Sequence, residues 1–113
     1  MTAILPPKMK RGSAELAILA VLAECPLHGY EIARRIEAQT GGVLRFTLAS
    51  LYPMLYRLEA RGWIAGKWQT QANGRSRRAY RLTTAGRKKL APLRAEWRLF
   101  FEALDRLAGV ADA

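Results

Sequence analysis

The chain has 113 residues, half of them hydrophobic, with one cysteine, one histidine and a formal net charge of +10. That length and apolar share argue for one folded domain rather than a disordered chain. No apolar run is long enough to span a bilayer, no signal-peptide order opens the sequence, and the lone Cys25 allows no disulfide framework, so a cytoplasmic protein is expected.

The charge is lopsided. Between residues 60 and 95 stand ten basic side chains and no Asp or Glu, while the remainder carries nine of each sign and sums to zero. A local surplus of this size concentrates positive potential and attracts a polyanion. Nucleic acid is the expected partner. A membrane surface is not, because no basic amphipathic helix with aromatic anchors is present.

Residues 1–12 read as a basic tail. Pro6 and Pro7 favour an extended path. Lys8 and Lys10 could track a phosphate backbone, or the segment could be frayed and inert. Ser13 reads as a helix cap, with Glu15 in the favourable first turn. Residues 16–23 are apolar on every side. Such a helix must be covered all round, which predicts its own core on one side and a second subunit on another, with Leu16 and Leu19 at that interface. Pro26 ends the helix, and Cys25 reads as a small buried hydrophobe.

His28, Gly29 and Tyr30 open the next helix, expected to run to about Gln39. Ile32, Ala33 and Ile36 form its core face. A single histidine without a cysteine pair predicts a local hydrogen bond, not a metal site. Gly41 and Gly42 end this helix, and Leu44, Arg45 and Phe46 form a short extended bridge.

Thr47 then caps a helix whose Leu48, Leu51, Leu55 and Leu58 recur at helical spacing beside Met54, with Gly62 as the stop. The opposite face holds Ala49, Ser50, Pro53, Tyr56 and Arg57, with Tyr52 on its flank. That face is small, polar and cationic and carries no carboxylate. Two helices joined by a glycine-containing connection, the second with a readable face, predict a helix-turn-helix. Arg57 is the candidate for a bidentate guanine contact. Tyr52 is placed for a phosphate. Tyr30, Thr47, Ser50 and Tyr56 complete the DNA-contacting set expected of this region.

Residues 63–71 and 77–83 favour β structure and flank Asn73 and Gly74, a strong hairpin-turn signal. Arg75, Arg77 and Arg78 cluster at the tip with no acidic neighbour in sequence, which predicts a DNA-contacting wing. Thr83 and Thr84 cap a final helix. Its Leu90, Leu93, Trp97, Phe100, Leu104 and Leu107 recur at spacings of 3 and 4, a coiled-coil seam that predicts a partner helix from a second copy. Pro92 is expected to kink it near its start. The fold class is therefore mainly α with a small β-hairpin: a winged helix-turn-helix over residues 13–83, a dimerisation helix over 84–108, and a short tail over 109–113.

These residues resemble the PadR family of bacterial transcription regulators in its short, single-domain form. The resemblance rests on Leu22-Ala23-Glu24, on Pro26 through Ile32, on Leu51-Tyr52-Pro53 with Leu55, Arg57, Leu58 and Glu59, and on Gly62-Trp63-Ile64. It continues through Tyr80-Arg81-Leu82-Thr83 and Ala85-Gly86. The family often has Gly-Thr just before Leu-Tyr-Pro; here Ala49 and Ser50 stand there, which predicts a different sequence preference. The resemblance implies a homodimer built from the first and last helices, with the Thr47 helix in the major groove of duplex DNA. It also implies a repressor released by a small, often aromatic, effector. Trp97, with Phe100 beside it, matches a ligand-contacting position, and plain dimer packing of Trp97 is the competing reading. No cofactor is implied. An RNA-binding or protein-interaction winged helix is the alternative. Scattered carboxylates with one histidine and one cysteine give no catalytic constellation, so an enzyme is not expected.

Overall fold

The computed structural model describes residues 7–108, with side chains from residue 12 onward. The order is α1 (Pro7–Glu24), β1 (Leu27–His28), α2 (Gly29–Gln39), α3 (Leu48–Ala60), β2 (Ile64–Thr70), β3 (Ser76–Leu82) and α4 (Thr84–Ala108). α1 is the hub. It packs against α2, α3, β3 and α4, and its Ala14, Ile18, Leu19, Val21 and Leu22 are buried. This explains why that helix has no polar stripe: the subunit itself covers most of it.

Three expectations change here. Residues 7–12 are not part of an extended tail, because Pro7–Glu24 is one continuous helix. Proline is well suited to a first helical position, where its missing N–H has no partner to lose, and residues 8–11 are good helix formers. Trp97 of α4 lies over Gly12, within 3.0 Å of where a Cβ would stand. Ser13 is therefore inside the helix and does not cap it. Leu19, expected at a subunit interface, is fully buried in the subunit's own core, so it offers no surface to a partner. Residues 1–6 and 109–113 lie outside the described residues, as do the side chains of Lys8 and Lys10.

The expected two-stranded hairpin is part of a three-stranded antiparallel sheet in the order β1-β3-β2. Leu27 pairs with Tyr80 and His28 with Ala79. A two-residue strand carries no periodicity of its own, so only pairing with β3 defines it. The hairpin tip also differs from a two-residue turn. Gln71 N–H donates to Arg75 O at 2.8 Å and Gly74 N–H to Gln71 O at 2.9 Å, so residues 72–74 form a three-residue loop. Gly74 takes the left-handed conformation at φ 81°, and no described non-glycine residue has positive φ. That is the three-residue hairpin with glycine at the bulge.

α3 begins as expected. Thr47 Oγ1 accepts the Ser50 N–H at 3.2 Å. Leu51, Leu55 and Leu58 are fully buried and Met54 nearly so. Leu48, expected on the same face, is 39% exposed, because the first turn projects beyond the core. α4 is capped by Thr83, whose Oγ1 accepts the Gly86 N–H at 3.0 Å. Its expected seam divides. Leu90 is buried in the subunit core and Leu93 packs against it, whereas Phe100, Leu104 and Leu107 are exposed.

Candidate nucleic-acid interface

α3 presents the surface that its sequence pattern predicts. Ala49, Ser50, Pro53, Tyr56 and Arg57 are exposed, and Tyr52 is half-buried on the flank. The Tyr52 and Tyr56 rings lie 6.5 Å apart. Among the described residues no carboxylate pairs with Arg57 or Arg75. Both guanidinium groups are therefore available to an outside anion.

The helix-turn-helix angle is held from several sides. Thr40 Oγ1 donates to Ile36 O at 2.8 Å and accepts the Leu44 N–H at 3.1 Å, while Gly41 and Gly42 take positive φ. At the start of α2, the His28 backbone N–H donates to Glu31 Oε1 at 2.8 Å, and His28 Nδ1 lies 2.6 Å from the same oxygen. This is half of a capping box. The backbone N–H, more than any other group, holds the Glu31 carboxyl below the usual carboxylate range. The other ring nitrogen lies 3.2 Å from Gln69 Oε1, so the one histidine ties α2 to β2.

Between α3 and the wing runs a groove of about 330 Å³, lined among others by Tyr30, Tyr52, Tyr56, Trp68, Arg77 and Arg78 and by no carboxylate. Tyr30, Tyr56 and Trp68 are 52–65% exposed. Arg34 stands over the Tyr30 ring, 5.7 Å from its centroid. Tyr80, at the floor, is buried, and burial raises its phenol pKa. The groove brings Tyr30, Tyr52 and Tyr56 together with two of the wing arginines.

The three wing arginines are not equivalent, contrary to expectation. Arg75 is exposed beside the tip. Arg77 is half-buried, and with the Gln71 amide turned so that its oxygen faces Arg77, Nε and Nη1 donate to it at 2.9 and 3.0 Å. Arg78 is paired with Glu59 of α3. Glu59 is 19 residues away in sequence, so a local charge count cannot reveal it as Arg78's partner. Arg78 is thereby corrected from a free tip cation to an internal ion pair.

Farther along the molecule, the outer half of α4 carries an apolar strip. Leu99, Phe101 and Leu107 are 68%, 52% and 87% exposed. Trp97 meets Phe101 at 5.4 Å and Phe100 edge-on at 5.7 Å between centroids. Leu16, Trp97 and Phe101 line a second groove of about 340 Å³, together with Arg94, Arg98, Glu102 and Asp105. Phe100, expected beside a ligand, does not line it.

The Transcriptional regulator PadR-like family matches residues 18–92. The chain belongs to this family. It is 35% identical over 83 residues to Transcriptional regulator Rv3488 of Mycobacterium tuberculosis, covering 74% of each chain. A solved transcriptional regulator from Clostridium thermocellum is similar with a TM-score of 0.79 and 28% identity, covering 88% of this chain and 96% of that one. A PadR family transcriptional regulator from Eggerthella lenta gives 0.75 and 28%, covering 89% and 86%. Family and neighbours are transcriptional regulators, not enzymes. Among the described residues no helix is long and apolar enough to cross a membrane.

For this PadR-like regulator, sequence reading missed Trp68, which lines the groove, and Glu59, which pairs with Arg78 beside it. Trp68 sits directly across from Arg78 in the β2–β3 register. The signal that could have found it is strand alternation, which puts Ile64, Gly66 and Trp68 on one face. No local signal points to Glu59.

Proposed function

We propose that this PadR-like regulator is a cytoplasmic, homodimeric repressor that binds a pseudo-palindromic site on double-stranded DNA. The carboxylate-free exposed face of α3 carries the reading. In this arrangement α3 enters the major groove, where Ser50, Tyr56 and Arg57 meet base edges. Thr47, Tyr52 and Tyr30 meet the phosphate backbone. Arg75 and Arg77 contact the neighbouring backbone from the wing, and Lys8 and Lys10 add charge from the start of α1. The second copy covers the outer half of α4 through Phe100, Leu104 and Leu107, continuing from Leu16, Leu93 and Trp97. A planar aromatic ligand fits the apolar wall that Trp97 and Phe101 give the second groove. Its binding there changes the spacing of the two α3 helices and releases the DNA.

Selection from random duplexes at two salt concentrations tests the core of this reading. The expected result is a two-fold-related site with half-sites about one helical turn apart and an affinity that falls steeply with salt. Binding that shows no duplex preference, or that favours structured RNA over the selected duplex, overturns it. Transcription from a promoter carrying the selected site, with and without protein, tests the sign of regulation.

A further inference from the structure

Glu59 lies in the last turn of α3 and reaches both strands of the wing. Its Oε2 accepts the backbone N–H of Gly66 in β2 at 3.1 Å. The same oxygen accepts from Arg78 Nη2 in β3. β2 is an edge strand, so this amide bond is made outside the sheet, to the recognition helix. The Arg78 guanidinium lies 5.6 Å from the centroid of Tyr80 and 5.9 Å from that of Trp68. A Cβ on Gly66 would collide with Arg78 Nε, and that nitrogen is buried without a hydrogen-bond partner. Glycine at this position leaves room for the guanidinium to approach the β2 backbone closely. Glu59 and Arg78 side chains are only 25% and 29% exposed. An arginine held on one side by a carboxylate and packed against two rings has little left to offer a phosphate.

We infer that Glu59, Gly66 and Arg78 form a brace that sets the angle between α3 and the wing, making Glu59 and Arg78 positioning residues for site-specific binding. The inference rests on the duplex-reading function proposed above. A specific site is engaged by α3 and the wing together, and holding both in the bound arrangement beforehand lowers the ordering cost of binding. Non-specific attraction depends on the number of cations and not on that angle.

The signs separate this from plain electrostatics. Glu59→Gln removes a negative charge from a cationic surface. Charge alone predicts tighter binding to every duplex; the brace predicts weaker binding to the selected one. The full-length chain is titrated with its selected duplex and with a random-sequence duplex of equal length over a range of salt. Glu59→Gln is expected to weaken the selected duplex tenfold or more and to leave the random duplex within threefold. Tighter or unchanged binding of the selected duplex overturns the brace. Arg78→Gln is expected to weaken the selected duplex similarly without changing the salt slope. A slope lower by about one on both duplexes assigns Arg78 to a phosphate and overturns it.

Amide exchange supplies a readout without DNA and without a variant. The Gly66 N–H of the wild-type chain is expected to be protected at least tenfold over the hairpin-tip amides. Exchange as fast as at the tip overturns the brace even if the variants fail to fold. A wild-type chain that selects no duplex defeats the DNA reading and this role with it; Gly66 protection then still reports the contact.

Discussion

The two halves of α4 carry one repeating pattern and meet opposite surroundings. Leu90 and Leu93 continue the same 3-and-4 spacing as Phe100, Leu104 and Leu107, yet the first pair packs on the subunit core and the others face outward. The difference is position. α1 meets α4 at Trp97, which lies over Gly12, and its Leu16 shares a groove with Phe101 and Asp105; Phe100, Leu104 and Leu107 line neither and stay exposed in a molecule whose long extent is 53 Å against 30 and 23 Å across. The wing repeats the lesson at smaller scale. Arg75 and Arg78 are three residues apart; one is exposed, and the other is absorbed by Glu59. A pattern specifies that a face must be covered or a charge must be answered, and the tertiary fold decides whether the chain does this for itself.

Substitutions can break the comparison in α4. Leu90→Ala is expected to destabilise the subunit by about 2–5 kcal/mol, as for other buried leucines, and to lower Tm by roughly 10 °C or more; a melt read by circular dichroism measures it. Leu104→Glu with Leu107→Glu is expected to leave the subunit folded and to give monomers in sedimentation with poor affinity for the selected duplex. A double variant that stays dimeric would assign the outer half of α4 to some other purpose.

Smaller effects sharpen the contrast. Replacing Arg75 alone with alanine is expected to lower the salt slope by about one and to weaken all duplexes alike. An unchanged slope would make Arg75 as unavailable as Arg78. At the start of α2, Glu31→Gln is expected to cost about 1 kcal/mol, the usual scale of a helix cap. The folded-state pKa of Glu31 is lowered, chiefly by the His28 N–H. Its contribution is therefore fully present above the ordinary carboxylate range and is lost as pH falls through the lower folded value. The stability difference between the two proteins should be flat near neutrality and close as acid is added.

Much of this was legible beforehand because it rests on neighbours in sequence. The Thr47 cap, the leucine face of α3, the glycines that end α2 and the acid-free stretch around the wing all depend on contacts within a few residues. Leu48 and the Pro7 start of α1 were misread because helix ends depend on where the core stops. Trp68 and Glu59 were missed because their partners stand across a strand pair or on another element.

Local spacing and composition carry the helical periods, the turn glycines, the cationic third of the chain and the resemblance that names the family. Packing between distant segments sets which apolar side chains the subunit buries, which wing cation stays unpaired by a carboxylate among the described residues, and which carboxylate joins α3 to the wing. Those outcomes turn on distances between segments far apart in the chain, and local spacing holds no information about them.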